Sequence, residues 1–355
     1  MRRSGIGRII GFVVLSWGIL SPASAGWAAE LFQIGNLKVN PGEMRSGLIP
    51  VDVAEGTDCF IPVTVIRGAR PGKVLALVAG VHGYEYPPIL ALYRLRDRID
   101  PKSLSGTLIL VHIAHIPSFQ RRTIYYNPAD WKNLNRVFPG DPRGTQSERI
   151  AYVLVEEVVK KCDYLIDLHC GDGNEALIPY CYWMTSGDDS IDGISREMVL
   201  AFGIKHIIID NTRSRDIKAS KYLGNTAILY GKPAITTESG FLGGTDEADI
   251  QRNLGGILSV MRHFDMISGP SRPVRDPIWI DRYEVVYSQD DGLFYPLTQM
   301  GYAVKEGEPV GYVTDYVGQM VREYRAPFSG MILYIIATPP ANKGEPLFEV
   351  GRIQQ

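Results

Sequence analysis

The chain has 355 residues, with 37 basic and 39 acidic side chains, a net charge of −2, and 45% hydrophobic residues. A near-neutral balance, with a pI of about 6.3, leaves no excess of Lys and Arg for phosphates and excludes sequence-independent nucleic-acid binding. Disorder requires low hydrophobicity with high net charge, and neither holds, so a folded protein of roughly two domains is expected.

Arg2 and Arg3 open a basic stretch, residues 9–20 form an apolar core, and Ala23-Ser24-Ala25 follow as small residues. This layout predicts a cleavable signal peptide over residues 1–29, too short to span a bilayer comfortably; an uncleaved anchor is the alternative. Export, to the periplasm in a bacterium with two membranes, is therefore expected. No other segment is long and apolar enough to cross a membrane, so no membrane association is expected after cleavage. Export permits disulfides, but Cys59, Cys162, Cys170 and Cys181 are too few for a disulfide scaffold. A single Cys170–Cys181 bridge and four free thiols are equal alternatives.

The first apolar run, residues 74–81, has the continuity of a strand buried on both faces. Ile89, Leu92 and Leu95 then give residues 87–99 the period of an amphipathic helix opening at Pro87-Pro88. A second buried strand is expected at 108–113. The polar stretch 114–144 is too long for a plain connection and reads as a functional loop. Next come a helix at 146–161, strands at 164–168, 206–209 and 234–237, and a helix at 246–264 that runs through Gly255-Gly256. Pro270, Pro273 and Pro277 mark a linker, and short β-rich runs between Gly and Pro turns fill the remainder. The pattern predicts an α/β domain over 48–268 and a small all-β domain over 275–355.

His82 and His169 fall at strand ends, which face the ligand crevice of an α/β sheet. His82 and Glu85 can reach one ion if the chain turns sharply between them, and Gly83 permits such a turn. With His169 they form a His₂Glu set, the three-ligand pattern of catalytic zinc. The alternative is two separate histidines bonded to backbone. Asn135 and Arg136, in the long loop, place an amide beside a guanidinium and suit a substrate carboxylate; a solvated arginine is the alternative. Glu238 ends the last buried strand, placed to take a proton from an attacking water unless it is merely a surface carboxylate.

In that order, Gly80-x-His82-Gly-x-Glu85, Asn133-Leu-Asn-Arg136 with Phe138-Pro-Gly following, Asp167-Leu-His169 and Glu238 resemble the succinylglutamate desuccinylase/aspartoacylase family. That family groups with the zinc carboxypeptidases of the M14 type. The resemblance covers about residues 45–350, since the Gly-rich β tail is also similar to that group's appended domain. It implies a zinc-carboxypeptidase-like mixed sheet flanked by helices, with a C-terminal barrel-sandwich-like β domain. It further implies one Zn²⁺ per chain on His82, Glu85 and His169, with Glu238 as general base and Asn135 and Arg136 holding a substrate carboxylate. Arg121 or Arg122, with Arg122 preferred, is implied as the cation that polarises the scissile carbonyl. Asp167 is implied as a partner that orients a ligand, with a strand-end cap as the equal alternative.

The function implied is a zinc-dependent hydrolase that cleaves the amide bond of an N-acyl amino acid or related small amide. An exported zinc carboxypeptidase or cell-wall peptide amidase is the alternative within catalysis. A non-catalytic binding protein on the same fold is the alternative outside it. The expected partner is a small molecule or short peptide, and homo-oligomerisation is left open.

Overall fold

The computed structural model describes residues 1, 31–53 and 59–354, so the body of the expected signal peptide lies outside the described residues. At the centre, β5 (Arg70–Ala79) lies parallel to β6 (Ser105–Val111) on one side and to β7 (Tyr164–His169) on the other. Successive side chains of a strand point to opposite faces. Leu75 and Leu77 therefore enter one apolar layer while Ala76 and Val78 enter the other. Both faces demand a helical cover, and both receive one.

On the first face pack α1 (Tyr86–Arg98), α4 (Asp189–Phe202) and α6 (Glu247–His263), which bury Ile89, Leu92, Met198, Phe202, Leu254 and Ile257. Removing each such side chain from water contributes about 1.5–3 kcal/mol. The second glycine of the pair in α6 is a packing device. A Cβ at Gly256 would come within 2.6 Å of the Phe202 ring, so this glycine lets two helices approach closely. On the second face α3 (Gln146–Glu157) and α5 (Leu223–Leu229) bury Ile150, Leu154, Leu223 and Ala227. The start of α3 is fixed by the Glu148 carboxylate, which accepts from the Thr145 N–H at 2.8 Å.

The sheet continues from β7 to β11 (Ala234–Glu238, parallel), then to β9 (Tyr180–Met184, antiparallel) and β10 (His206–Asp210, parallel to β9). At its other edge β4 (Phe60–Arg67) and β3 (Met44–Pro50) add antiparallel strands. The sequence pattern misses β9, α4 and α5, and also the hairpin of Phe32–Ile34 with Leu37–Val39. That hairpin packs Ile34 and Val39 into the second layer, ahead of the expected boundary at 48. The long loop contains a short helix, α2 (Ile116–Arg121), and a 3₁₀ turn at Leu134–Arg136.

From Ile278 onward the chain is all strand. The first of these, β12 (Ile278–Tyr287), runs parallel to β10 and carries the central sheet on into β19 (Pro346–Ile353) and β17 (Gly330–Ile336). A separate sheet of β16 (Met320–Arg325), β15 (Pro309–Thr314), β13 (Gly292–Pro296) and β18 (Pro340–Ala341) faces it. Phe294, Val310, Ile332, Ile335 and Phe348 fill the space between in a sandwich core. The tail is thus joined to the α/β body through one continuous sheet. All four cysteines are buried free thiols, so the Cys170–Cys181 bridge does not form.

Candidate active site

The turn after β5 delivers His82 and Glu85 together. Gly80, rather than Gly83, takes the left-handed backbone, with φ of 68°. Gly83 is required for a different reason. A Cβ there would sit 2.1 Å from the Phe119 backbone nitrogen, so only glycine lets α2 pack against this turn. Glu85 precedes the first turn of α1 and points back at His82, while β7 ends at His169 on the neighbouring strand.

The three side chains converge. His82 Nδ1 lies 2.7 Å from Glu85 Oε1, and His169 Nδ1 lies 2.9 Å from Glu85 Oε2. One ligand atom from each residue lies within 4.8 Å of the other two, so the group could hold a metal ion. The outer nitrogens have partners of their own: His82 Nε2 is 3.1 Å from Asn133 Oδ1, and His169 Nε2 is 3.0 Å from Asp167 Oδ1. Both Nδ1 atoms and the Glu85 carboxylate thus face one another, two nitrogens and one carboxylate, which is the donor set a divalent metal takes in place of protons. Burial pushes the Glu85 carboxyl upward, yet His169 and His82 beside it hold it down to about 2. Cys170 turns away, its thiol donating to the Gly171 carbonyl.

Around this cluster opens a cavity of about 510 Å³. Glu238 lines it, at the end of β11 and in register with His169 on β7 and Tyr180 on β9. Burial drives its carboxyl well above the usual range; Glu85, Glu175 and Asp167 add to this, and His169 opposes it. Asn135 and Arg136 line it as well. The Asn135 side-chain oxygen accepts from the Leu223 N–H at 3.0 Å, which leaves its amide nitrogen 3.4 Å from His169 Nε2. Arg136 lies over the Tyr222 ring at 4.7 Å, and Arg213, ion-paired with buried Asp210, lies over the same ring at 3.8 Å.

Arg121 and Arg122 are exposed at the end of α2, with Arg122 in the left-handed region, and neither lines the cavity. The expectation for Arg122 is corrected accordingly: the loop turns over there, and the residue it delivers to the cavity is Tyr125. This tyrosine adopts a φ of 61° and lies edge-on to His82 with ring centroids 5.6 Å apart. Its hydroxyl donates to Glu175 Oε1 at 2.6 Å. Of the remaining histidines, His112 stacks on Tyr93 and bonds Thr64, His115 and His206 bond carbonyls, and His263 pairs with Glu197 at the surface.

Sequence reasoning also missed the wall opposite the long loop. Tyr180, Tyr182 and Met184 of β9 line the cavity with Tyr283, Val285 and Tyr287 of β12. Each set alternates along its strand, so the period of two was the available signal. Tyr334 and Pro346 of the tail complete this wall.

The profile of the succinylglutamate desuccinylase/aspartoacylase catalytic domain matches residues 71–264, the stretch that carries every one of these polar site residues before the tail. The chain belongs to the succinylglutamate desuccinylase/aspartoacylase family. A relative in the family, the N-alpha-acetyl-L-2,4-diaminobutyric acid deacetylase of Halomonas elongata, is 28% identical over 302 residues, covering 83% of this chain and 86% of that protein. The product-bound structure of the ectoine utilization protein EutE from Ruegeria pomeroyi is 25% identical. It superposes with a TM-score of 0.76 over 87% of this chain and 95% of that one. A succinylglutamate desuccinylase from a Silicibacter species, 24% identical with a TM-score of 0.75 over 88% and 95% of the two chains, shares the fold. The family architecture thus includes the β tail as well as the catalytic body.

Proposed function

We propose that this chain is a zinc-dependent hydrolase that cleaves the amide bond of a small N-acyl amino acid. The observation that carries the reading is the convergence of two imidazole Nδ1 atoms on the Glu85 carboxylate, with Glu238 beside them in one cavity. When bound by His82, Glu85 and His169, zinc supplies Lewis-acid activation of the water and of the carbonyl. Glu238 takes a proton from the attacking water and returns it to the amine nitrogen as the carbon–nitrogen bond breaks. A carboxyl tuned upward by burial suits both transfers near neutral pH. Asn135 and Arg136 hold the substrate carboxylate, the guanidinium already oriented by its stack on Tyr222.

The tail wall favours a small amide over a peptide, because Tyr287, Tyr334 and Pro346 bound the cavity where a longer chain would need an open cleft. The Halomonas relative is a deacetylase, which makes acetyl the first acyl group to test. Residues 1–29 support export as part of this reading, with the reaction then taking place outside the cytoplasm. The test is an assay of the zinc-loaded mature chain on N-acetyl and N-succinyl amino acids beside short peptides. Release of free amino acid from the acyl compounds, abolished by a chelator and restored by zinc, is the expected result. Turnover of peptides alone would overturn the deacylase reading.

A further inference from the structure

Tyr125 is held in a backbone conformation that its own side chain disfavours. Its φ of 61° lies in the left-handed region, which costs a bulky residue on the order of 1–3 kcal/mol. The segment 172–175 holds it there at both ends. Asp172 Oδ2 accepts the Tyr125 N–H at 3.3 Å, and Glu175 Oε1 accepts the hydroxyl at 2.6 Å. Asp172 is itself pinned by the Gly173 N–H at 2.6 Å, and Glu175 Oε2 accepts the Asp172 N–H at 3.3 Å. These acceptors follow closely on β7, whose last residue is the proposed metal ligand His169. Strain kept in place by so many bonds is characteristic of functional sites.

The hydroxyl has one proton for two acceptors, because Asn174 Oδ1 also lies 2.9 Å away. Its O–H is therefore not committed to a single partner. Tyr125 and Glu175 both line the cavity, and the tyrosine ring lies edge-on to His82.

Attack of water on an amide puts negative charge on the carbonyl oxygen, and a donor aimed at that oxygen lowers the barrier. The cations of the cavity have other partners: Lys132 pairs with Glu148, Arg213 pairs with Asp210, and Arg136 stacks on Tyr222. Tyr125 brings a neutral O–H to the side of His82 instead.

We propose that the Tyr125 hydroxyl donates to the scissile carbonyl oxygen as charge develops on it, with Asp172 and Glu175 as its positioning residues. This role rests on the hydrolase reading. The proton stays on the phenol oxygen throughout, and only its acceptor changes, from Glu175 to the carbonyl oxygen. No covalent bond forms or breaks at Tyr125, and Glu175 keeps the Asp172 N–H.

The test removes that one oxygen. Zinc-loaded wild type and Tyr125→Phe are assayed on N-acetyl and N-succinyl amino acids and on short peptides. Both are also titrated by calorimetry with N-methylphosphonyl leucine and glutamate, tetrahedral mimics of the attacked amide, and with the free amino acids. The variant should lose roughly 10²- to 10³-fold in kcat, with KM within about threefold of wild type. It should lose phosphonyl affinity by a similar factor and bind the free amino acids as before. A merely structural tyrosine would move both kinds of ligand or neither. Unchanged kcat, or an equal loss on both kinds of ligand, overturns the proposal.

If wild type cleaves peptides alone, the deacylase reading fails, and the same comparison on the peptide decides the role of Tyr125. If it cleaves nothing, the hydrolase reading fails and calorimetry decides. Selective loss of the phosphonyl ligands then supports the donor, whereas equal affinity, or no binding by wild type, overturns it. Should Tyr125→Phe not fold, Glu175→Ala leaves the hydroxyl unaimed and carries the same comparison, with an expected loss of at least about tenfold in kcat.

Discussion

Glu238 stands directly beside His169, its register partner across the parallel strands β11 and β7. The backbone ladder, rather than a flexible loop, therefore fixes the distance between the proposed base and a proposed metal ligand. Glu238→Gln keeps the shape and removes the proton acceptor. We expect kcat to fall by roughly 10²- to 10⁴-fold while zinc content stays at that of the parent. Metal analysis beside the assay checks this, and zinc loss in the variant would make Glu238 a ligand instead.

The acceptors behind the two histidines should matter to metal affinity although neither touches the ion. Asp167 Oδ1 lies 3.0 Å from His169 Nε2, and Asn133 Oδ1 lies 3.1 Å from His82 Nε2. Asp167→Asn and Asn133→Ala should each weaken zinc binding by about 10- to 100-fold. Competition with a chelator measures it. Unchanged affinity in both variants would mean that strand packing alone orients the rings.

Arg122 offers a contrast, because the family resemblance gives it a role and the structure puts it in solvent. Arg122→Ala should leave kcat/KM within about threefold of the parent, as expected for a surface change. A loss of a hundredfold or more would show that the end of α2 swings into the cavity during turnover.

Tyr222 lies against two guanidiniums at once, Arg136 at 4.7 Å and Arg213 at 3.8 Å. Replacing the ring by Leu removes both contacts, each worth about 0.5–2 kcal/mol. Tyr222→Leu is expected to raise KM by about tenfold with kcat little changed, since the role proposed for Arg136 is carboxylate binding and not proton transfer. Steady-state kinetics separates the two parameters.

Glu349, buried on β19, predicts a dependence of stability on pH. Its folded-state pKa of about 8 lies above the ordinary 4.5, so the folded chain holds this proton more tightly than the unfolded one. The stability so gained is complete below about pH 4.5 and is lost as pH rises through 8. Glu349→Gln has no proton to lose. It should be more stable than the parent above pH 8 by at least about 1 kcal/mol, and the two should converge only below about pH 4.5. Thermal melts across that range provide the check; parallel curves would mean Glu349 is ionised throughout.

The sequence was most legible where burial is two-sided or periodic. The run at 74–81 and the helix at 87–99 differ from Arg70–Ala79 and Tyr86–Arg98 by a few end residues. His82, Glu85 and His169 were legible because strand ends converge in an open α/β sheet. The sequence suggests only that Gly83 permits the turn, whereas its close approach to Phe119 leaves no trace in local sequence. Arg213 and Tyr222 sit in a loop without a motif, and only tertiary packing joins them to Arg136. The Pro-rich linker was equally misleading. It marks a change of texture, yet pairing between β10 and β12 carries the sheet across it.

That continuity orders events in time. As a chain grows from its N-terminus, His82, Glu85, His169 and Glu238 are all present well before residues 346–353 appear. The tyrosine wall, however, is backed by Glu349 and bounded by Pro346, and both reside on β19. A nascent or truncated chain can thus own every reactive group and still have no enclosed chamber in which to use them. In that sense β19 is the keystone of the chamber, set after the groups it encloses.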